Sequence, residues 1–236
     1  MPKNYLIAID DSGQKDIRLP TERSFGLGGI ALPTSRLLAL RTAWMKTMEI
    51  SSGAEAKVPE FVNMFGELTP QPPHVNARAV LSVFLRKFAA LPVFVHAKKS
   101  EIGSALTVST RRGGRAVDVG NLYYCLILQL TVFAMKKKNV RLKVVSDRLS
   151  CSTEEMEMQE GWRSTLDKLQ LEKVDGADRI GDLTFLDSKQ YPEIQIAGVL
   201  MALLFQSSEA RQPLSSGMSA LLTEAATNNL SSFHLK

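Results

Sequence analysis

The sequence predicts a single α/β domain built on a mixed sheet of about five strands flanked by helices. Three observations carry this. Apolar runs of strand length alternate with longer stretches of helical periodicity. The first two apolar runs stand close together, as an antiparallel pair requires. Later strands are separated by whole helices, as parallel neighbours require. The chain has 236 residues, of which 44% are apolar, enough to build a large core without cross-links. Residues 1–210 read as the domain and 211–236 as a polar C-terminal tail with room for one weak helix.

In order, residues 4–9 read as a buried strand entering a turn at Asp10, Asp11, Ser12 and Gly13. Residues 24–32 form a second, glycine-rich strand stopped by Pro33. Gly26, Gly28 and Gly29 miss the dinucleotide-binding spacing, so close backbone packing or a bulge explains them better. Thr34 or Ser35 is placed to cap a helix over 36–49. Residues 50–73 are irregular, with a short helix near 59–65. Val80, Leu81, Phe84 and Phe88 share one face of a helix over 75–90. A third strand covers 93–97, and 98–115 is a polar loop. Asp118 is placed to cap a long apolar helix running to 135, with lysines 136–138 at its carboxyl end, where cations suit the helix dipole. A fourth strand over 140–146 ends at Asp147. Ser152 or Thr153 caps the next helix, a fifth strand over 183–186 ends at Asp187, and 192–206 is an apolar helix.

Charge divides the chain. Between Arg86 and Lys143 there are 12 Lys/Arg against 2 Asp/Glu, while the remainder is net acidic. A basic middle suits a polyanion partner, because cationic side chains displace counterions from phosphate; a solvated surface is the plainer alternative. The amino terminus is too short in apolar residues for a signal segment, and no apolar stretch is long enough to span a bilayer. Cys125, read as a buried thiol, and Cys151 form no disulfide framework, so a cytoplasmic setting is expected. His74, His96 and His234 have no partner at zinc spacing. A serine nucleophile elbow and a phosphate-binding P-loop are both missing. Trp44 and Trp162 lie in helical patterns and read as packing residues.

Asp10, Asp147 and Asp187 each stand at a strand end. The carboxyl ends of strands line the crevice of an open α/β sheet, and carboxylates that converge there suit a hard cation such as Mg2+ or Mn2+. Each aspartate also has an ordinary structural reading, as a turn residue or a helix cap.

The opening YLIAIDDSGQ followed by SFGLGGIALP resembles the family called domain of unknown function 3800. Further matching pieces follow in order: Glu55-Ala56-Lys57, the helix around Tyr123, the strand LKVVSD, and the closing block FLDSKQYPEIQIAGVLMALL. The resemblance covers about 5–205 and is most specific in its first and last blocks. It implies a ribonuclease-H-like fold and a metal-dependent nuclease. The catalytic residues it implies are Asp10, Glu55 and Asp147; the metal ligands are Asp10 and Asp147, with Asp187 as a further candidate. Lys57, Lys189 and the Arg111, Arg112 and Arg115 loop are candidates for phosphate contact. At the last family acid this chain has Gly198, which implies a weakened metal site and a degenerate enzyme; Asp187 and Glu193 are near in sequence but off the family position. Three readings follow: a nuclease, a non-cleaving relative that binds nucleic acid or protein, and an interaction subunit with no nucleic-acid role.

Overall fold

A computed structural model describes residues 3–12, 24–50, 53–98, 107–109, 115–117, 119–137, 139–205 and 214–234. The first strand, β1 (Lys3–Ser12), pairs antiparallel with β2 (Ser24–Pro33), and β2 pairs antiparallel with β3 (Leu91–Lys98). On its other side β1 pairs parallel with β6 (Val140–Asp147), which pairs parallel with β7 (Ile180–Leu186). These five strands run in the order β3-β2-β1-β6-β7, the ribonuclease-H-like arrangement. A sixth, β8 (Ser231–His234), extends the sheet beyond β3 in parallel.

Period-two alternation sends each strand's residues into two separate cores. Ile7 and Ile9 of β1 and Leu142 and Val144 of β6 enter a core with Leu126, Leu130 and Phe133 of α4 (Val119–Lys136) and Trp162 and Leu166 of α5 (Ser152–Leu171). Leu6 and Ala8 of β1 and Val145 of β6 face the other way. There they meet α6 (Pro192–Phe205), together with α1 (Leu37–Thr47), α2 (Val58–Phe65) and α3 (Pro73–Lys87). The central helix α6 lies across β1 and β2. Gly29 makes that possible, because a Cβ there would collide with the Ala8 carbonyl and the Ala197 side chain. Both tryptophans are core residues, as expected: Trp44 donates to Gln195 Oε1 at 3.1 Å and Trp162 to the Gly181 carbonyl at 3.1 Å.

Several local expectations change. The Asp-Asp-Ser segment continues β1 to Ser12, because Gly28 and Gly26 stand opposite Asp10 and Ser12. A 3-10 turn covers Thr34–Arg36, and the Thr34 hydroxyl donates to the Asn4 carbonyl at 3.3 Å, tying β1 to the turn and capping no helix. Cys151 is the N-cap residue of α5 with no side-chain cap bond, so Ser152 and Thr153 lie inside the helix. Asp118 lies outside the described residues. The stretch expected as a loop carries β4 (Thr107–Ser109), which pairs with β5 (Arg115–Val117) as a small antiparallel sheet. Cys125 is half-buried where full burial was expected. Residues 216–234 form α7 (Ser216–Thr227) and β8, and Met218, Leu221, Ala225 and Leu230 are buried in the cores. Among the described residues no helix is long and apolar enough to cross a membrane.

Candidate functional site: an acidic cleft beside the central helix

The parallel register pairs Ile9 with Ser146. One step further along, Asp10 and Asp147 stand side by side on strands about 4.8 Å apart. Alternation puts both on the face of Ala8 and Val145, toward α6, so the two carboxylates occupy the same end and the same face of the sheet. The cleft there has a volume of about 660 Å3 and is lined by Asp10, Asp11 and Ser12 of β1, by Glu55 and Lys57 before α2, and by Ser188, Gln195 and Gly198.

A chain of hydrogen bonds fixes this end of the molecule. Asp147 Oδ1 accepts from the backbone amides of Arg148 at 2.9 Å and Ser188 at 3.0 Å. The Ser188 hydroxyl donates to Glu55 Oε1 at 3.4 Å, and Lys57 Nζ lies 3.8 Å from Glu55 Oε2. Gln195 holds both segments in place. Its Nε2 donates to the carbonyls of Ala54 at 3.0 Å and Ser188 at 2.8 Å. Its Oε1 accepts from Trp44 Nε1 and from the Ala56 amide, each at 3.1 Å. All four of its hydrogen-bonding positions are thus used. Two residues earlier, buried Glu193 accepts a bidentate pair from Arg41, at 2.8 and 2.5 Å, so Glu193 anchors the start of α6 and is spoken for.

Asp10 is the perturbed acid of the cleft. Burial and the neighbouring carboxylates Asp11, Asp147 and Glu55 push its pKa up to about 7, while the hydrogen bond from the Asp11 amide, at 2.7 Å, opposes the rise. Gly198 sits directly against it. A Cβ built on Gly198 would lie 2.5 Å from Asp10 Oδ2. Glycine at this position therefore has a physical reason, close approach of the helix to a carboxylate, which the sequence reading of a lost ligand did not contain. A side chain at 198 would require the Asp10 carboxylate to shift.

The other candidates fall as follows. Asp187 is not among the cleft-lining residues; its Oδ1 accepts from the Lys189 amide at 3.0 Å in the turn that follows β7. Lys189 is exposed on that turn. Arg111 and Arg112 lie outside the described residues, and Arg115 begins β5. On β6, Arg141 and Lys143 are exposed and alternate in phase with Val145 and Asp147, so they share the acidic cleft's face of the sheet. Ser188 and Gln195 were missed. The available signal was a lone glutamine in the otherwise apolar run IQIAGVLMALL, since a polar group in a buried helix requires partners.

A magnesium-type ion takes one or two carboxylates and completes its shell with water and substrate oxygens. Asp10 and Asp147 fit that demand for one ion, and a cation there would offset the mutual repulsion that raises Asp10. Among the described residues no three His, Cys, Asp or Glu side chains gather into a larger ligand set. No protein-family model and no curated protein matches this chain.

Proposed function

We propose that the chain is a ribonuclease-H-like phosphodiester-binding protein of the domain of unknown function 3800 type, retaining a single weak Mg2+ or Mn2+ site and with little hydrolytic power. The observation that supports it most is the register of β1 and β6, which sets Asp10 beside Asp147 on adjacent parallel strands, with Asp10 against the glycine of α6. Asp10 and Asp147 would hold the ion. When bound, it supplies charge to a phosphodiester oxygen as negative charge develops there. Glu55, steadied by Ser188, is placed to accept a proton from an attacking water, and Lys57 to offset phosphate charge. Arg141 and Lys143 extend a cationic track from Asp147 along β6 for the polyanion. Gly198 supports the second reading, a protein that binds nucleic acid at this cleft and does not cleave it.

Thermal-shift titration with Mg2+ and Mn2+, run beside cleavage of labelled single- and double-stranded DNA and RNA, tests both readings. The expected result is stabilisation at millimolar metal, lost in Asp10→Asn, with slow cleavage that disappears in the same variant. Metal stabilisation without cleavage selects the second reading. If the wild type and Asp10→Asn respond identically to both ions and bind nucleic acid equally, the cleft is not the site.

A further inference from the structure

One hydroxyl at the edge of the cleft has no part in the site as described. Ser12 stands two residues beyond Asp10 on β1 and, by alternation, belongs to the same face of the sheet, toward α6. It borders the cleft, is 6% exposed, and its Oγ is buried with no hydrogen-bond partner among the described residues. Its neighbours explain why. Across the hairpin Ser12 pairs with Gly26, which has no side chain. The part of α6 above Gly26 is apolar, since a Cβ there would touch Met201 and Phe205. On the same strand, Asp10 accepts from the Asp11 amide through Oδ1 and sets Oδ2 against Gly198. A buried hydroxyl left unpaired costs stability, and here the cleft is the side from which a group can complete it.

The acids of the cleft decide which group that is. An ion held by Asp10 and Asp147 keeps several of its waters, because magnesium-type ions give them up reluctantly. Residues two apart on a strand are separated by about 6.8 Å, so the short serine side chain falls short of an ion centred between Asp10 and Asp147. A water on the ion extends its reach to about 4.9 Å, from a metal–oxygen distance of about 2.1 Å and a hydrogen bond of about 2.8 Å. Serine turns its hydroxyl by rotation about one bond, between staggered positions and with no backbone movement. Water on a cation is polarised toward donating, and the serine oxygen has lone pairs to accept.

We propose that Ser12 is a positioning residue of the metal site: its hydroxyl turns into the cleft when the ion binds and accepts from one water of the ion's shell. The proposal rests on the reading of Asp10 and Asp147 as the ion's ligands and adds to them a third contact, made through water. Contacts of this outer kind orient what the ion holds, and their removal typically lowers metal affinity by about 10–100-fold. Ser12 thereby acts in the metal-bound protein and is a burden on the metal-free one.

The test uses the full chain and Mn2+ alone. Binding is read from the paramagnetic resonance signal of free Mn2+, and melting is followed with and without the ion. Ser12→Ala should weaken Mn2+ binding about tenfold and leave the metal-free melting temperature unchanged or raised, since alanine buries no unpaired hydroxyl. Water-proton relaxation at the bound Mn2+ should show faster exchange of its waters in the variant. Should Ser12→Ala fail to fold, Ser12→Cys keeps the size of the side chain with only a weak hydrogen-bonding group, on an ion that prefers oxygen ligands, and should show the same loss. Unchanged affinity in a folded variant, or a metal-free melting temperature that falls, overturns the proposal, because a hydroxyl bonded within the protein would give those results. Binding lost in Asp10→Asn and unchanged in Ser12→Ala overturns this contact alone. A wild type that binds no Mn2+ overturns the reading of the cleft and this contact with it.

Discussion

The two faces of the sheet at the ends of β1 and β6 are built from neighbouring residues and have opposite characters. On one face Ile9 and Ser146 are sealed: Ile9 is fully buried, and the Ser146 hydroxyl lies 3.3 Å from the Tyr123 hydroxyl of α4. Burial there pushes the Tyr123 phenol far above its ordinary pKa. On the other face Asp10 and Asp147 each stand one residue further along, and Asp10 meets α6 at a glycine and borders a cleft. The strands are the same; the helices differ. Large side chains of α4 close one face, and the missing side chain of Gly198 leaves a carboxylate room on the other. A functional opening in a close-packed sheet domain can thus depend on one absent Cβ.

Substitutions separate the two faces, beginning with the largest effects. Trp162→Ala on the sealed side removes a side chain only 2% exposed and should cost about 3–5 kcal/mol in chemical denaturation. The metal-induced thermal shift should persist in that variant, and its loss would mean the faces are coupled. Arg41→Ala strips buried Glu193 of its bidentate partner. It should cost about 3–5 kcal/mol and, by loosening the start of α6, weaken metal binding as well.

Gly198→Ala sharpens the comparison through the sign of its effect. In an ordinary helix interior this change gains about 1 kcal/mol; against Asp10 it should instead cost about 1–3 kcal/mol as an overpacked contact. In an Asp10→Ala background the sign should revert to a gain. A gain in the wild-type background would show that the helix does not press on the carboxylate.

The pH dependence should follow the raised pKa of Asp10, about 7 against an ordinary carboxylate value of 3.8. The folded protein holds this proton more tightly than the unfolded chain, so the stability it contributes is complete below pH about 4 and is lost as pH rises through about 7. Relative to Asp10→Asn, the wild-type melting temperature should fall by several degrees across that window, and a bound divalent ion should reverse the fall. A flat difference between the two proteins would place Asp10 in water. The smallest effect is expected at Arg163 and Asp182, which pair at 3.3 Å with both side chains more than half exposed; a double-mutant cycle should give a coupling below about 0.5 kcal/mol.

Local pattern alone made most of this fold legible. The strands around Ile7, Ile30, Val95, Val144 and Phe185 and the helices between them follow from apolar periodicity, which is a property of short windows. The strand-end carboxylates were legible for the same reason. Tertiary structure decided the rest. The hairpin reaches Ser12 because Gly26 and Gly28 happen to stand opposite. Residues 216–234 join the core because α7 packs on α3 and β3 with Met218 and Leu221 buried, although their own segment is polar. Gln195 binds two loops distant in sequence, and Asp187 accepts from the Lys189 amide in the turn after β7. Gly198 is the clearest case: as a letter in the sequence it is a missing acid, and only the approach of α6 to β1 makes it the space that Asp10 occupies. Periodicity is set within a few residues of chain, whereas a close approach between two backbones is set by everything that packs them together.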